Sequence, residues 1–271
     1  MAGVVTIEES GPVATVWLDR PEERNAMGAD LWSELPETME SLGENPAVRV
    51  IIIASRGDHF TVGLDLKEFG AALMASFGTD AGVAGRRQTR AQVKMMQHTM
   101  TAIARCPKPV IAAVHGYCIG AGVDLITACD IRLASADALF SVRETRMGMV
   151  ADVGTLQRLP RILNPGLVAE LAFTGRDVTA DEARDMGLVN RVFSDSEALA
   201  AGALELAVSI AANSPLAVQG SKAVLAATEH MSVDEALDYV ALWNAAFLHS
   251  NDLREAVQAF LEKRPPEFDG T

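Results

Sequence analysis

The stretch PKPVIAAVHGYCIGAGVDLITACDIRLAS, Pro107–Ser135, contains the residues that decide the fold. It begins with a proline pair and the apolar run Val110–Val114, which has the length and composition of a buried strand. Gly120 and Gly122 then mark a tight turn, and apolar residues continue through a short helical segment into a second apolar run. A strand, a glycine turn, a helix and another strand predict one unit of an α/β core.

The same alternation continues on both sides of this unit. Upstream, residues 4–19 alternate apolar and polar side chains around Ser10 and Gly11, which predicts a hairpin near the start of a sheet. Further periodic segments predict helices at 29–42 and 87–104, a strand at 48–54, and, beyond Asn164, helices at 198–212, 216–227 and 233–261. We therefore predict an α/β core over 1–195 and an appended helical region over 196–271.

The composition limits the possible functions. A chain of 271 residues, of which 49% are hydrophobic, can bury a large core. The net charge of -13 argues against an extended nucleic-acid surface, and the basic cluster at 85–94 is interpreted as a solvated helix face. The sequence has neither the apolar run of a membrane span nor a leader pattern, and its three cysteines form no CxxC pair. We predict a cytoplasmic protein with reduced thiols, no membrane span and no metal.

Two glycine turns are candidates for binding an anionic oxygen. Gly63 follows a strand-like segment, and Gly120 precedes a helix whose first N–H groups lack partners within the helix. If the turns face each other, the N–H groups of Val62 and Ala121 converge on one oxygen and form an oxyanion hole. The alternative is that both are ordinary packing turns.

Three carboxylates lie close to these turns in the sequence. Asp124 is in the first turn of the helix after Gly120, Glu144 follows in VRET, and Asp152 lies among apolar residues in GMVADVGTL. Each alone could cap a helix. Burial among apolar neighbours would raise the pKa of Asp152, as a proton donor requires. No GxSxG, HExxH or P-loop sequence points to another chemistry.

Several segments resemble the crotonase (enoyl-CoA hydratase/isomerase) superfamily, in the family's order and over nearly the whole chain. They are RPEERNAM, HFTVGLDL, PKPVIAAVHGYCIGAGVDLITACDIRLAS, ADVGTLQRLPR, AFTGRDVTADEARDMGLVNRV, SPLAVQGSK and FLEKRPPEF. The resemblance implies a crotonase-like spiral of ββα units and a C-terminal helical region that forms a homotrimer or a dimer of trimers. It also implies an acyl-CoA thioester whose carbonyl is bound by the N–H groups of Val62 and Ala121, with no cofactor beyond the substrate's own coenzyme A.

The acids indicate a subgroup within this family. Hydratases have Glu at both catalytic positions, whereas this chain has Asp124 at the first and Glu144 at the second. Together with Asp152, this set resembles the Δ3,5-Δ2,4-dienoyl-CoA isomerases of fatty acid degradation. The resemblance implies Glu144 as base at C2, Asp152 as acid at C6 and Asp124 as the residue that orients them, with the reverse assignment of Glu144 and Asp152 left open. A 2-enoyl-CoA hydratase and a non-catalytic acyl-CoA-binding or RNA-binding relative are the alternatives.

The resemblance also implies a set of substrate contacts. Arg24 is expected near the CoA phosphates, and Phe260 and Lys263 are expected to reach the CoA of a neighbouring subunit. We expect residues 69–85 to form part of the acyl pocket wall, and Arg143 and Arg146 to lower the pKa values of the nearby acids. The other expected contacts, which surround the glycine turns, are Gly63, Leu64, Asp65, Leu66 and Gly122.

Overall fold

The computed structural model describes residues 3–70 and 82–271. Over these residues the main sheet has the strand order β1-β2-β3-β4-β6-β9, and a smaller sheet has the order β5-β7-β8. The strands are β1 Val5–Ser10, β2 Val13–Leu18, β3 Val50–Ser55, β4 Val110–Val114, β5 Tyr117–Ile119, β6 Ile131–Ser135, β7 Leu139–Ser141, β8 Val178–Thr179 and β9 Arg191–Phe193. Only the β1–β2 hairpin is antiparallel in the main sheet, and the α/β prediction is confirmed.

Helices connect the strands and follow them. They are α1 Ala29–Glu44, α2 Gly82–Arg105, α3 Ala121–Ala128, α4 Thr155–Arg158, α5 Pro165–Thr174, α6 Ala180–Asp185, α7 Ser196–Ala211, α8 Pro215–Thr228, α9 Val233–Phe247 and α10 Asn251–Glu262. Another helical segment begins at residue 66, and the expected acyl pocket wall at 69–85 lies largely outside the described residues.

The central strand β3 explains why the sheet is covered on both faces. Successive side chains of a strand point to opposite faces, and all of β3 is buried. Ile51 and Ile53 pack into the core that contains α1 and α3, whereas Val50 and Ile52 pack into a second core that contains α7. A strand that is apolar on both faces is typical of a parallel sheet between two layers.

The C-terminal helices differ from the sequence prediction in two respects. Leu199 and Ala203 of α7 are buried against the sheet. Helix α7 therefore packs as part of the α/β core, although the predicted boundary at residue 195 assigns it to the appended helical region. The single helix predicted over 233–261 is two helices, because Ser250 caps α10 by accepting a hydrogen bond from the N–H of Leu253 at 3.1 Å.

The structure contains no individual helix, among the residues it describes, with the length and apolar character of a membrane span. Helices α7 and α8 together have the length and apolar composition of a membrane span, but the two helices are bent by 103° relative to each other.

Candidate active site

The candidate turns and acids come together at one cavity of about 450 Å³. Its wall is mostly apolar, and Asp124, Glu144 and Asp152 all contribute to it. The remaining lining residues are Trp32, Val62, Gly63, Leu64, Leu66, Met96, Ile119, Gly120, Ala121, Arg143, Met147, Met149, Val150 and Val153. The structure thus brings both glycine turns and all three acids to one space, although they are far apart in the sequence.

The two glycine turns are in direct backbone contact. Gly63 has a φ of +84°, and a Cβ at this position would lie 2.6 Å from the carbonyl oxygen of Ile119 and 3.3 Å from the nitrogen of Ala121. Gly120 has a φ of +56° and precedes the first residue of α3. Both conformations favour glycine, and only a residue without a side chain allows the turns to approach this closely.

Leu64 and Ala121 both line the cavity and are the candidates for supplying free N–H groups to it. Leu64 forms an isolated parallel bridge with Met27, in which the N–H of Met27 donates to the Gly63 carbonyl and the N–H of Asp65 donates to the Met27 carbonyl. In such a bridge the N–H of Leu64 itself points away from the partner strand. Within the described part of the chain, neither this N–H nor that of Ala121 has an acceptor.

The expected role of Val62 is not supported by this geometry. The N–H of Val62 donates to the carbonyl oxygen of Arg24 at 3.3 Å, so it is already occupied. Val62 therefore lines the cavity, whereas Leu64, expected only as a substrate contact, supplies the free donor.

Asn25, a residue that the sequence analysis did not select, fixes the chain before Leu64. Its side-chain amide donates to the carbonyl oxygens of Arg56 and His59, both at 2.8 Å, and its own carbonyl accepts a hydrogen bond from Thr61 Oγ1 at 2.6 Å. Asn25 is buried and has a φ of +55°, a conformation that asparagine tolerates better than most residues. The sequence signal for Asn25 was its position in RPEERNAM, one of the segments that resemble the family.

Asp124 is the most enclosed of the three acids. It lies in the first turn of α3 with 1% of its surface exposed, and its Oδ1 accepts a hydrogen bond from the N–H of Thr155 at 2.5 Å. Burial raises the pKa of Asp124 to about 6, although the Thr155 hydrogen bond and the positive charge of Arg158 act in the opposite direction. A carboxyl group held in this way suits a positioning role.

Glu144 lies beside the free N–H groups. A Cβ on Gly120 would be 3.4 Å from its Oε1, and its Oε2 is buried without a hydrogen-bond partner among the described residues. Burial and, to a smaller extent, the negative charges of Asp124 and Asp152 together raise the pKa of Glu144 to about 7. Near neutral pH this carboxyl group can therefore either accept or donate a proton.

Asp152 lines the cavity and is more exposed than expected. Its apolar sequence neighbours Met147 and Val150 are themselves 53% and 74% exposed in the single chain, so the prediction that they bury Asp152 is wrong. Partial desolvation still raises the pKa of Asp152 above its usual value.

The expected effect of Arg143 and Arg146 on the acids is wrong for a geometric reason. Arg143 pairs with Asp177, and the Arg146 side chain donates to the carbonyl oxygen of Thr174 at 3.1 Å. Both guanidinium groups are thus directed to other partners, and neither lowers the pKa of Glu144 through its charge.

Two expected substrate contacts have structural roles instead. The carboxylate of Asp65 accepts hydrogen bonds from the N–H groups of Lys67 and Glu68 at 3.0 and 3.2 Å and pairs with Arg20 at 3.3 Å, so it caps the helical segment that begins at residue 66. Gly122 is a packing position, since a Cβ there would lie 2.6 Å from the Thr61 side chain.

The other expected contacts differ in their place relative to the cavity. Leu66 lines it and is 48% exposed. Arg24 is exposed, and Phe260 and Lys263 lie at the end of α10, outside the cavity lining of their own chain. No group of three His, Cys, Asp or Glu side chains in the described residues is placed to hold a metal ion.

Comparison with known proteins agrees with this arrangement. The model of the family "Enoyl-CoA hydratase/isomerase" matches residues 8–271. The chain belongs to the enoyl-CoA hydratase/isomerase family. It is 48% identical to the peroxisomal Δ3,5-Δ2,4-dienoyl-CoA isomerase of Arabidopsis thaliana over 93% of this chain and 90% of that protein. It is 47% identical to the mitochondrial isomerase of Mus musculus over 93% of this chain and 77% of that protein.

A solved structure confirms the predicted fold. The crystal structure of an enoyl-CoA hydratase from Bacillus anthracis matches with a TM-score of 0.90 at 31% identity, covering 99% of this chain and 100% of that one. The chain therefore has the fold of the enoyl-CoA hydratase/isomerase family and is an enzyme of that family, as expected. The prediction of a cytoplasmic protein is contradicted, because the isomerase relatives are named as peroxisomal and mitochondrial proteins.

Proposed function

We propose that this protein isomerises 3,5-dienoyl-CoA thioesters to 2,4-dienoyl-CoA thioesters. The observation that carries the proposal is the presence of Asp124, Glu144 and Asp152 on one apolar cavity, together with two backbone N–H groups that have no acceptor among the described residues. The isomerase names of the relatives that are 47–48% identical support the same reaction.

The first half of the reaction needs a base near C2 of the acyl chain. A thioester carbonyl that accepts hydrogen bonds from the N–H groups of Leu64 and Ala121 stabilises the enolate formed when a proton leaves C2. Glu144 is next to this pair of donors, and its pKa of about 7 makes it a stronger base than an ordinary carboxylate. We assign the removal of the C2 proton to Glu144.

The second half needs an acid four bonds away. The negative charge of the enolate spreads through the conjugated chain to C6, and a proton added there leaves double bonds at C2 and C4. Asp152, on the same cavity, is assigned as the donor at C6. After one turnover Glu144 carries the proton and Asp152 is ionised, so Glu144 must release one proton and Asp152 must take one up before the next cycle. The exposure of Asp152 allows it to recover a proton from solvent.

A spectrophotometric assay of a 3,5-dienoyl-CoA tests the reaction. The 2,4-dienoyl chromophore is expected to appear rapidly, while a 2-enoyl-CoA is hydrated slowly under the same conditions. Failure to form the chromophore on any chain length would refute the proposal.

The assignment of the two acids is tested separately with a saturated acyl-CoA in deuterated water. This compound can exchange hydrogen at C2 but has no conjugated path to C6. E144Q is expected to lose C2 exchange and D152N to keep it, with both variants defective in isomerisation. The opposite pattern would reverse the roles of the two acids.

A 2-enoyl-CoA hydratase is the second candidate. It is favoured by the presence of Asp124 and Glu144 on the same cavity and by the fold shared with the Bacillus anthracis hydratase. In that function a water molecule held by the two acids adds across C2 and C3, and Asp152 is dispensable. Fast hydration that is unaffected in D152N would select it.

We also propose that the functional assembly is a homotrimer or a dimer of trimers. Helix α9 has no buried residue, and its Val233 and Leu242 are 75% and 71% exposed, as are Phe260 and Leu261 of α10 at 81% and 73%. Such apolar exposure is typical of a surface covered by another subunit. In that assembly Phe260 and Lys263 would reach a neighbour's CoA, and light scattering of the purified protein measures the subunit number.

A further inference from the structure

The guanidinium group of Arg158 lies directly over Gly154. A Cβ at Gly154 would be 1.8 Å from Nη1 of Arg158, and Gly154 has a φ of +144°. Any other residue at this position would displace the guanidinium group and adopt a strained backbone conformation. The short segment between Asp152 and Arg158 is therefore shaped around the Arg158 side chain.

Among the described residues, Arg158 has no ion-pair partner that would stabilise its position in the fold. It is partly buried, makes no ion pair with any carboxylate in the described ranges, and has only a long contact of 3.5 Å to the carbonyl oxygen of Val153. Nearby Arg161, in contrast, pairs with Glu229 at 2.6 Å. Arg158 is also not part of the lining of the acyl cavity.

The charge that Arg158 does meet is that of Asp124. The N–H of Thr155, in the same turn of α4, holds the Asp124 carboxylate at 2.5 Å, and the positive charge of Arg158 favours the ionised form of that carboxylate. The other titratable groups that act electrostatically with Asp124 are Glu144, Asp152 and the buried thiol of Cys118.

Arg158 in turn interacts with two further groups, the thiol of Cys129 and the guanidinium of Arg161. Two further acids and two thiols thus interact with Asp124 or Arg158, and Arg158 is the cation that acts directly on Asp124.

We propose that Arg158, seated over Gly154, is a positioning residue that keeps Asp124 ionised and thereby sets the protonation state of the Glu144 and Asp152 pair. The inference rests on the proposed function and deepens it. Arg158 touches neither the substrate nor the reacting carbons, and acts only through Asp124.

The sign of the effect follows from electrostatics. Loss of Arg158 raises the pKa of Asp124, so Asp124 is neutral over a wider pH range and its negative charge no longer raises the pKa of Glu144 there. In R158Q the pKa of Asp124 is expected to rise by about one pH unit, the lower range for an opposite charge at short distance, and the acidic limb of the kcat profile is expected to move to lower pH by less than that amount. KM for the acyl-CoA is expected to stay unchanged, because Arg158 does not line the cavity.

The experiment compares R158Q, R158K and the control R161Q in the full-length enzyme. R158K keeps the charge without the planar guanidinium and should shift the limb less than R158Q. R161Q removes an arginine from the same segment and should leave the limb in place. Loss of activity in R158Q without any movement of the limb would overturn the proposal, because a purely structural role predicts that result.

A second readout does not depend on isomerase activity. Carbon NMR of protein enriched with ¹³C in the aspartate carboxyl groups, with D124N for assignment, follows the titration of Asp124 directly. The midpoint should rise in R158Q and stay fixed in R161Q. An unchanged Asp124 midpoint would overturn the proposal even if the enzyme is active, whereas a shifted midpoint in a protein without isomerase activity would refute only the proposed function. If R158Q does not fold, R158K carries both measurements.

Discussion

Replacement of Glu144 by glutamine is expected to make the folded protein more stable while it removes the isomerase activity. The substitution keeps the size of the side chain and removes a buried charge whose Oε2 has no hydrogen-bond partner in the part of the chain that the structure describes. A buried carboxylate without a partner destabilises the folded state, because its charged form has lost hydration.

The magnitude follows from the pKa of Glu144. Its folded-state pKa of about 7 lies above the ordinary value of 4.5, and each pH unit of displacement is worth about 1.4 kcal/mol. Because the folded state binds this proton more tightly than the unfolded state, the wild-type protein loses stability as the pH rises from 4.5 to about 7. E144Q should therefore gain nothing at pH values near 4.5 and up to about 3 kcal/mol above pH 7, relative to wild type.

Urea unfolding of both proteins between pH 5 and pH 8, at one fixed protein concentration, measures this difference. Any constant effect of burying an amide cancels, because only the pH dependence of the difference is used. E205Q, a substitution at an exposed glutamate of α7, is the control and should show a flat difference. A flat difference for E144Q as well would refute the reasoning about its environment.

Three further predictions concern other parts of the site. G63A should lower kcat about 10²–10³-fold by separating the two N–H donors. G11A is the control, because Gly11 also has a positive φ but no described atom lies within 4 Å of the added methyl group, and it should keep full activity. Equal losses in the two variants would argue against the oxyanion hole. D65A should lower the free energy of unfolding by about 1–2 kcal/mol, because the helix cap and the ion pair with Arg20 are lost, and it should leave kcat unchanged. A loss of kcat without a loss of stability would instead indicate that Asp65 contacts the substrate. The wild-type kcat should fall about tenfold per pH unit below the pKa of Glu144, about 7, and a profile that is level down to pH 5 would contradict Glu144 as base.

Most of the fold could be predicted because its signals are local. The β1–β2 hairpin follows from alternation around Ser10 and Gly11, and the strand run before Gly120 follows from an apolar segment of fixed length. The break at Ser250 was missed because the apolar periodicity continues across it, although a serine at a helix N-cap was a usable signal. The packing of α7 on the sheet is a tertiary property that no local pattern contains.

The candidate site was predictable in its members but not in its details. Glycine and acid positions can be read from the sequence, but the choice between the N–H groups of Val62 and Leu64 depends on pairing with Arg24 and Met27, which lie almost 40 residues earlier. The burial of Asp152 could not be judged from Met147 and Val150, because side chains adjacent in sequence around a turn project in different directions.

The three acids differ in a way that distinguishes isomerisation from simple hydration. Two identical acids around one water molecule would serve a hydratase, whereas a proton shift from C2 to C6 needs one group that starts ionised and one that starts protonated. Asp124 is buried but accepts a hydrogen bond from a backbone N–H and lies near the positive charge of Arg158. Glu144 has a buried Oε2 without a partner among residues 3–70 and 82–271, and Asp152 remains open to solvent. These environments give each carboxyl group a different affinity for its proton. The assignment of Glu144 to C2 rests on its place beside Gly120 and the N–H of Ala121, and the assignment of Asp152 to C6 rests on the solvent access that lets it regain a proton after each turnover.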